Sequence, residues 1–269
     1  MCRHLAYMGK PIPLDSLIYE PPRSLEVQSY DPQELLSGNV NVDGFGCGWY
    51  NRDISEEPGV YTSMRNLWAD SSFRSISKII RPGLLLASVR NATPPSPVDE
   101  QSVQPFARGR YLFMHNGQIT GYHKKVKRSL HAELPDDLYS TLYSHSDSAT
   151  IFALLYNELR QCEPSQGSMI EGLQNIIHTI TAYAAEAGSE CQLNLALSDG
   201  ESIIMSRYSN TEDSNSLYCL KDGENFPESV LIASEALDDD ADWEKVPHNH
   251  LISVNSQNEI TLQPLTTGE

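Results

Sequence analysis

The order of strand-like and helix-like segments along this chain restricts its fold more than any other feature. Gly83–Arg90 and Tyr111–His115 are short apolar runs bounded by turn residues, which is typical of buried strands. Residues 1–9 also have the pattern of a short strand, with Cys2 at its tip. The part of the chain before residue 147 is therefore expected to supply strands.

The middle of the chain has helical periodicity instead. Apolar residues recur at helical spacing between Ile151 and Leu159. Ser146 or Asp147 is the natural N-cap, because an oxygen-bearing side chain there can accept from a free backbone N–H. A second helix is expected near residues 168–187. Two helices thus separate the first strands from the C-terminal third of the chain.

Strand-like segments return after the helices. Gln192–Leu197 and Ile203–Tyr208 flank Ser198–Glu201, where Asp-Gly supplies the positive φ angles of a tight hairpin turn. Two further strands are expected near residues 229–234 and 250–255. Strands, then helices, then strands predict an α+β fold.

The chain has the composition of a globular protein with a strong negative charge. It contains no linker-like stretch, so residues 1–269 are interpreted as one domain. A formal net charge of -17 repels phosphate backbones and anionic lipid, which argues against nucleic-acid and membrane partners and favours a small-molecule substrate. The one basic cluster, Lys124, Lys125, Lys127 and Arg128, is interpreted as a solvated helix face rather than an anion site.

The cysteines are scattered and form no CxxC pair. They are Cys2, Cys47, Cys162, Cys191 and Cys219. This pattern indicates neither a disulfide framework nor a zinc site, and we expect no metal and no cofactor. The N-terminus lacks the regions of a signal peptide, and no apolar run approaches the roughly 18 residues that cross a bilayer. The expected location is the cytoplasm.

Cys2 is the strongest candidate for a catalytic residue in the chain. Removal of Met1 would leave Cys2 with a free α-amine, whose pKa of about 8 suits a general base at neutral pH. One residue then supplies both nucleophile and base, as in N-terminal-nucleophile hydrolases. The simpler alternative is a cysteine that only packs at the start of the first strand.

Other residues at strand or helix ends could bind a substrate. Asn116 and Gly117 follow a buried strand and could present an amide and an N–H as an oxyanion hole, although an Asn-Gly turn is the common alternative. Arg90 closes another strand and could hold a carboxylate bidentately, or form an ordinary salt bridge. Asp147 could accept from a substrate ammonium, or serve only as a helix cap.

Seven segments occur in an order and at spacings that are specific in combination. They are Met1–Leu5, Asn41–Tyr50, Val89–Thr93, Gln104–Phe106, His115–Gly117, Ser146–Ser148 and Ser234–Asp240. On these segments the chain resembles the class II glutamine amidotransferases, from residue 2 to about residue 255. Within that family it is most similar to the stand-alone branch that contains the γ-glutamyl hydrolase of ergothioneine biosynthesis.

The resemblance implies an N-terminal-nucleophile hydrolase fold, a four-layer αββα sandwich of two antiparallel sheets between helical layers. It also implies cleavage of a γ-glutamyl amide through a thioester on Cys2. Asn116 and Gly117 would form the oxyanion hole. Arg90 would hold the glutamyl α-carboxylate, and Asp147 would hold the α-ammonium.

The leaving group is less constrained than the γ-glutamyl half. The nearest branch implies a γ-glutamyl-cysteine sulfoxide joined to a trimethylated histidine, whose quaternary ammonium would favour an aromatic wall. Trp49, Tyr50 and Trp68 are the candidates, by proximity to the site loops. Two alternatives stay open. One is a glutaminase subunit that delivers ammonia to a separate synthase partner, and the other is a catalytically inactive binding domain of the same fold.

A few positions depart from the family pattern or have simpler interpretations. Ala149 and Ala236 replace a glutamate and a proline that are usual there. Cys47 is expected to be a buried packing thiol rather than a second nucleophile. The aspartates Asp238–Asp240 are expected to form a turn rather than a metal site.

Overall fold

The computed structural model describes residues 2–35, 40–92 and 98–265. Met1 and Thr93, which belong to the segments that carry the family resemblance, lie outside these ranges. No helix in the described part of the chain is long and apolar enough to cross a membrane. The single domain of residues 1–269 and the cytoplasmic location stay predictions.

Thirteen strands and eight α-helices lie within the described residues. The strands are β1 (Arg3–Gly9), β2 (Phe45–Trp49), β3 (Gly59–Ser63), β4 (Leu84–Val89), β5 (Phe106–Arg108), β6 (Tyr111–Ile119), β7 (Cys191–Ser198), β8 (Ile203–Arg207), β9 (Tyr218–Gly223), β10 (Phe226–Ala233), β11 (Glu244–Lys245), β12 (His250–Val254) and β13 (Ile260–Pro264). The α-helices are α1 (Asp15–Ile18), α2 (Leu25–Tyr30), α3 (Ser71–Ile76), α4 (Tyr122–Lys125), α5 (Lys127–Ala132), α6 (Asp136–Tyr139), α7 (Asp147–Leu159) and α8 (Gln166–Glu186).

The strands form two antiparallel sheets. The first sheet has the order β11-β9-β10-β1-β4-β2-β3, and the second has the order β13-β12-β8-β7-β6-β5. Strand β1 lies inside the first sheet, between β10 and β4. Strand β6 lies inside the second sheet, between β5 and β7. Both strands are therefore held on two sides by backbone hydrogen bonds, which positions the residues at their ends.

Three apolar clusters separate the layers. Leu5 and Tyr7 of β1 pack against residues of α1, α2 and α3 on the outer face of the first sheet. Ala6 and Met8 of the same strand point the other way, toward the second sheet. Helices α7 and α8 cover the outer face of the second sheet. These are the four layers of an αββα sandwich, so the predicted fold is confirmed.

Most predicted segments are confirmed, but one boundary is wrong. The strand predicted at Tyr111–His115 continues to Ile119 as β6, so Asn116 and Gly117 are strand residues rather than the start of a turn. Both lie opposite residues of β7. Pairing along β7 keeps this segment extended, and that tertiary contact overrides the local turn tendency of Asn-Gly.

The consecutive aspartates hold a bent segment after β10. Asp238 accepts hydrogen bonds from the Trp243 indole N–H at 2.8 Å and from the Asn225 amide at 2.9 Å. Asp240 accepts from two backbone N–H groups, each at 2.9 Å. These bonds give Asp238 and Asp240 a structural role, because each carboxylate satisfies donors that the bend would leave unpaired.

Candidate active site

A cavity of about 360 Å³ opens where β1 begins and where β4 and β6 end. Strands β1 and β4 are antiparallel neighbours, so the residue before β1 and the residue after β4 lie next to each other at the same end of the two strands. The cavity lining includes Cys2, Arg90, Gly117 and Asp147. The structure therefore brings together four of the site residues predicted from the sequence, in a space that suits a small molecule.

Arg3 holds the backbone of Cys2. Its Nε donates to the Cys2 carbonyl oxygen at 2.8 Å, and its Nη1 lies 3.1 Å from a carboxylate oxygen of Glu235. Arg3 is fully buried; burial lowers the pKa of its guanidinium, and Glu235 opposes this shift. A buried cation needs such a partner, so Glu235 supports the segment that carries Cys2.

Glu235 also links this segment to the loop after α2. Its two carboxylate oxygens accept from the backbone N–H of Gln33 at 2.9 Å and of Glu34 at 3.1 Å. The Nη1 of Arg3 in turn donates to the Glu34 carbonyl at 3.4 Å. One carboxylate that follows β10 therefore holds two separate parts of the chain around Cys2.

The glycine-rich segment before β2 positions Arg90. The backbone N–H of Arg90 donates to the Gly44 carbonyl at 2.8 Å, and the Arg90 carbonyl accepts from the Asp43 N–H at 3.0 Å. The carboxylate of Asp43 accepts from the Ala92 N–H at 2.8 Å. Gly44 has a φ of +110°, a conformation that residues with a side chain rarely adopt. Glycine at this position thus permits the loop that holds Arg90.

Gln104 and Ser148 fix His115, which also lines the cavity. Gln104 accepts from the His115 backbone N–H at 2.5 Å and donates to its carbonyl at 3.1 Å. The imidazole Nδ1 lies 3.0 Å from Ser148 Oγ, and Nε2 lies 2.9 Å from the Gln192 carbonyl oxygen. Because a carbonyl only accepts, Nε2 carries a hydrogen and donates to Gln192. The ring is therefore held in one orientation.

Position 117 has no room for a side chain. A Cβ on Gly117 would lie 1.8 Å from the Gln192 carbonyl oxygen and 2.6 Å from Nε2 of His115. Only glycine allows β6 to approach β7 and the His115 ring this closely. The backbone of Gly117 therefore lines the cavity directly, with no side chain between it and a bound ligand.

Asn116 is buried between the two sheets, directly beside the cavity residue Gly117. It is 1% exposed, and its Nδ2 donates to Ser234 Oγ at 3.3 Å. Its backbone carbonyl accepts from Asn215 Nδ2 at 3.1 Å. A side-chain amide carries two hydrogens, so the bond to Ser234 leaves one of them for another acceptor.

Asp147 joins the start of α7 to the end of β6. Ser146 is the N-cap of α7 and accepts from the Ala149 N–H at 3.2 Å. The Asp147 carboxylate accepts from the backbone N–H of Ile119 at 3.0 Å and of Ser148 at 2.8 Å. Ser148 Oγ also donates to Oδ1 of Asp147 at 3.4 Å, so Oδ2, which accepts only from Ile119 among the described residues, has capacity for a cation in the cavity.

The three predicted wall aromatics are not among the cavity residues. Trp49 lies at the end of β2 that pairs with Leu85, away from the end of β4 that reaches the cavity. Tyr50 is buried, and its hydroxyl lies within hydrogen-bonding distance of two backbone carbonyls, those of Arg110 and Ser198. Trp68 is 39% exposed and packs edge-on against Tyr30. Their positions give no support for an aromatic wall at this cavity: an extended strand moves about 3.3 Å per residue, so closeness in sequence to the glycine-rich segment does not by itself bring these rings to the cavity.

Two other predictions have different outcomes. Cys47 is 1% exposed within the first-sheet core, and burial raises the pKa of its thiol, so its interpretation as a packing residue is confirmed. Lys124 lines the cavity, so the interpretation of the basic cluster as a solvated helix face is incomplete for this residue.

Among residues 2–35, 40–92 and 98–265, no group of three His, Cys, Asp or Glu side chains could hold a metal ion.

Sequence reasoning assigned no role to Gln104, Ser148 or Glu235. All three belong to the segments on which the family resemblance rests. A polar residue next to an apolar strand was the signal that could have found Glu235, since a carboxylate buried there needs a charged or hydrogen-bonding partner. The sequence does not indicate that the partner is Arg3, because the two are separated by 232 positions.

Comparisons with known proteins identify the family. Residues 24–265 match the sequence model described as class-II glutamine amidotransferases. The chain is 32% identical over 265 residues to a γ-glutamyl-hercynylcysteine sulfoxide hydrolase of Mycobacterium tuberculosis strain H37Rv, with 98% of this chain and 97% of the relative covered. It is 31% identical over 268 residues to a protein of the same name from Mycolicibacterium smegmatis, with 98% and 100% covered.

A solved structure gives independent support for the fold. The glutamine aminotransferase class-II domain protein from Silicibacter pomeroyi matches with a TM-score of 0.71 and 22% identity, over 98% of this chain and 99% of that chain. The family match extends over most of the chain, and both relatives exceed 30% identity. The chain therefore belongs to the class II glutamine amidotransferases and is an amide-hydrolysing enzyme.

Proposed function

We propose that this chain is a γ-glutamyl amidohydrolase in which the Cys2 thiol attacks the substrate. The observation that carries the proposal is that Cys2, Arg90 and Asp147 face one cavity. A guanidinium and a carboxylate together match the α-carboxylate and the α-ammonium of a free amino-acid head group. A thiol in the same cavity then has the γ-carbonyl within its reach.

The proposed reaction has two steps. After removal of Met1, the α-amine of Cys2 takes the thiol proton, and the sulfur attacks the γ-carbonyl carbon. The Asn116 amide and the Gly117 N–H stabilise the oxyanion. The protonated amine passes its proton to the leaving nitrogen, and the C–N bond breaks to leave a γ-glutamyl thioester. Water, deprotonated by the same amine, attacks the thioester carbon; glutamate leaves, and the proton returns to the sulfur.

The proposed substrate is γ-glutamyl-hercynylcysteine sulfoxide. Two relatives above 30% identity, each covered almost completely, carry the name of a hydrolase for this compound. Arg90 is 5% exposed and lines the cavity, so its guanidinium is placed to bind a carboxylate of the substrate, which supports a requirement for a free glutamyl head. The glutaminase alternative uses the same head group and differs in its leaving group, which is ammonia.

Steady-state kinetics on three compounds tests this substrate. We expect kcat/KM to be highest for γ-glutamyl-hercynylcysteine sulfoxide, lower for γ-glutamylcysteine and lowest for glutamine, because only the first fills the leaving-group half of the cavity. The N-acetylated form of each compound is the control. Loss of the α-ammonium should lower kcat/KM by about a hundredfold or more, since the acceptor Asp147 would be left unpaired. Equal or better use of glutamine would instead support the glutaminase subunit.

The roles of Asn116 and Arg90 are separated by two substitutions. We expect Asn116→Ala to lower kcat by about a hundredfold or more with little change in KM, because its amide serves the transition state. Arg90→Lys should mainly raise KM, since lysine lacks the planar fork that binds a carboxylate through two hydrogen bonds. Glutamate release at a series of substrate concentrations measures both constants.

Asn194→Ala is the matched control for Asn116→Ala. Asn194 lies opposite Asn116 in β7, is equally buried and uses its side chain for hydrogen bonds within the sandwich. This variant should lose stability but keep the kcat of the folded enzyme. If Asn116→Ala and Asn194→Ala lower kcat to the same extent, the amide of Asn116 has a structural role only.

A further inference from the structure

The cavity contains one cation that the proposed reaction does not use. Arg90, Asp147 and Lys124 are the charged side chains among the described residues that line it, apart from the histidines. A γ-glutamyl head group has one carboxylate for Arg90 and one ammonium for Asp147. Lys124 is then left without an opposite charge in the filled cavity.

Lys124 differs from the lysines next to it. The ammonium of Lys125 donates to the Gly188 carbonyl at 3.1 Å, and that of Lys127 lies 3.2 Å from Nδ1 of His145. Lys124 forms no ion pair with any residue that the structure describes, and it is an exposed residue of the cavity lining. The position of Lys124 is therefore not explained by a structural contact.

The burial of the cavity residues separates a deep end from a mouth. Arg90 is 5% exposed, whereas Lys124 is an exposed residue of α4. The glutamyl head must reach the buried Arg90, so the amine that leaves first has to occupy the exposed side. The neighbouring His123 is a poor substitute for this cation, because burial and then the nearby Lys127 lower the pKa of its ring and so disfavour the charged form.

We propose that Lys124 binds a carboxylate on the leaving amine, so that the enzyme prefers γ-glutamyl compounds of amino acids over simple γ-glutamyl amides. This inference rests on the proposed function and assigns the leaving-group half of the same site. In a protein of net charge -17, an anionic leaving group is repelled unless a local cation reverses the potential at the mouth.

Two nearly isosteric substrates test the subsite. γ-Glutamylglycine and γ-glutamylglycinamide share the head group and the scissile bond, and they differ in a carboxylate against a neutral amide. The enzymes are the wild type, Lys124→Ala and Lys125→Ala. The last is a matched control, because it removes an adjacent lysine that is not a cavity residue.

In the wild type, we expect kcat/KM to be higher for γ-glutamylglycine. Lys124→Ala should lower kcat/KM for γ-glutamylglycine by about tenfold and change that for the glycinamide less than about twofold. Lys125→Ala should leave the ratio of the two constants unchanged. Raising the ionic strength should reduce the ratio of the wild-type kcat/KM for γ-glutamylglycine to that for the glycinamide, because the ammonium of Lys124 is exposed and salt screens its charge.

Equal losses on both substrates in Lys124→Ala would overturn the proposal, since they would place Lys124 on the shared head group. No loss on either substrate would overturn it too. Calorimetric binding of both compounds to Cys2→Ala, with and without Lys124→Ala, gives a readout that does not need turnover. If Cys2→Ala binds γ-glutamylglycine more tightly than γ-glutamylglycinamide but the wild type cleaves neither compound, the proposed hydrolysis is refuted and the subsite is supported. If neither compound binds, both proposals are refuted.

Discussion

Cys2→Ala should fold like the wild type and release no measurable glutamate from any γ-glutamyl compound. The substitution removes the sulfur that forms the proposed thioester, and loss of a nucleophile lowers kcat by about four orders of magnitude or more in enzymes of this kind. Cys2 is only half-buried and precedes β1, so we expect a change in the free energy of unfolding of about 1 kcal/mol or less. A glutamate-release assay and thermal unfolding measure the two effects.

Cys162→Ala is the control for the loss of a thiol. Cys162 is the exposed free cysteine among the described residues and is not a cavity residue, so its removal should leave kcat and KM unchanged. Cys47 is less suitable, because it is buried in the core and its loss would create a cavity. Retention of substantial activity in Cys2→Ala would exclude Cys2 as the nucleophile.

The same mechanism requires that Met1 is absent from the active enzyme. With Met1 attached, the nitrogen of Cys2 is part of a peptide bond and cannot take the thiol proton. We therefore expect the intact mass of the active protein to lack Met1. Full activity in a protein that still carries Met1 would contradict the α-amine as general base, although Cys2 could still be the nucleophile with another base.

Glu235→Gln should give the largest loss of stability among these substitutions. It leaves the fully buried Arg3 without its ion-pair partner, and removal of one partner from a buried pair destabilises proteins by about 3–5 kcal/mol. Because Arg3 also donates to the Cys2 carbonyl, we expect kcat to fall as well. Chemical denaturation measures the free energy of unfolding, and glutamate release from the folded protein measures kcat.

Glu228→Gln is the matched control, since Glu228 pairs with Lys10 on the surface with both side chains about two-thirds exposed. An exposed pair contributes about 1 kcal/mol or less. If Glu235→Gln destabilises the protein no more than Glu228→Gln does, the buried pair does not contribute to stability. A large loss of stability with unchanged kcat would show that Arg3 supports the fold without positioning Cys2.

Much of the secondary structure could be predicted from the sequence. Apolar runs marked β4 and most of β6, Ser146 marked the start of α7, and Asp-Gly marked the turn between β7 and β8. These signals act over a few residues, through backbone conformation and hydrogen bonds close to the residue itself. The short strands β3, β5 and β11 lacked such a signal, because pairing with a neighbour defines them more than their own residues do.

The sequence by itself determined that Cys2 lies at the start of the first strand segment, that Arg90 lies at the end of the β4 segment and that Asp147 begins α7, since each position follows from a local pattern; in the structure Cys2 immediately precedes β1 and Arg90 immediately follows β4. Only the tertiary structure decided that these residues and Gly117 line one cavity, that Trp49 and Tyr50 do not, and that Lys124 does. It also paired Arg3 with Glu235. Such contacts depend on the register of strands in a sheet and on the packing of whole layers, which place residues from distant parts of the chain side by side.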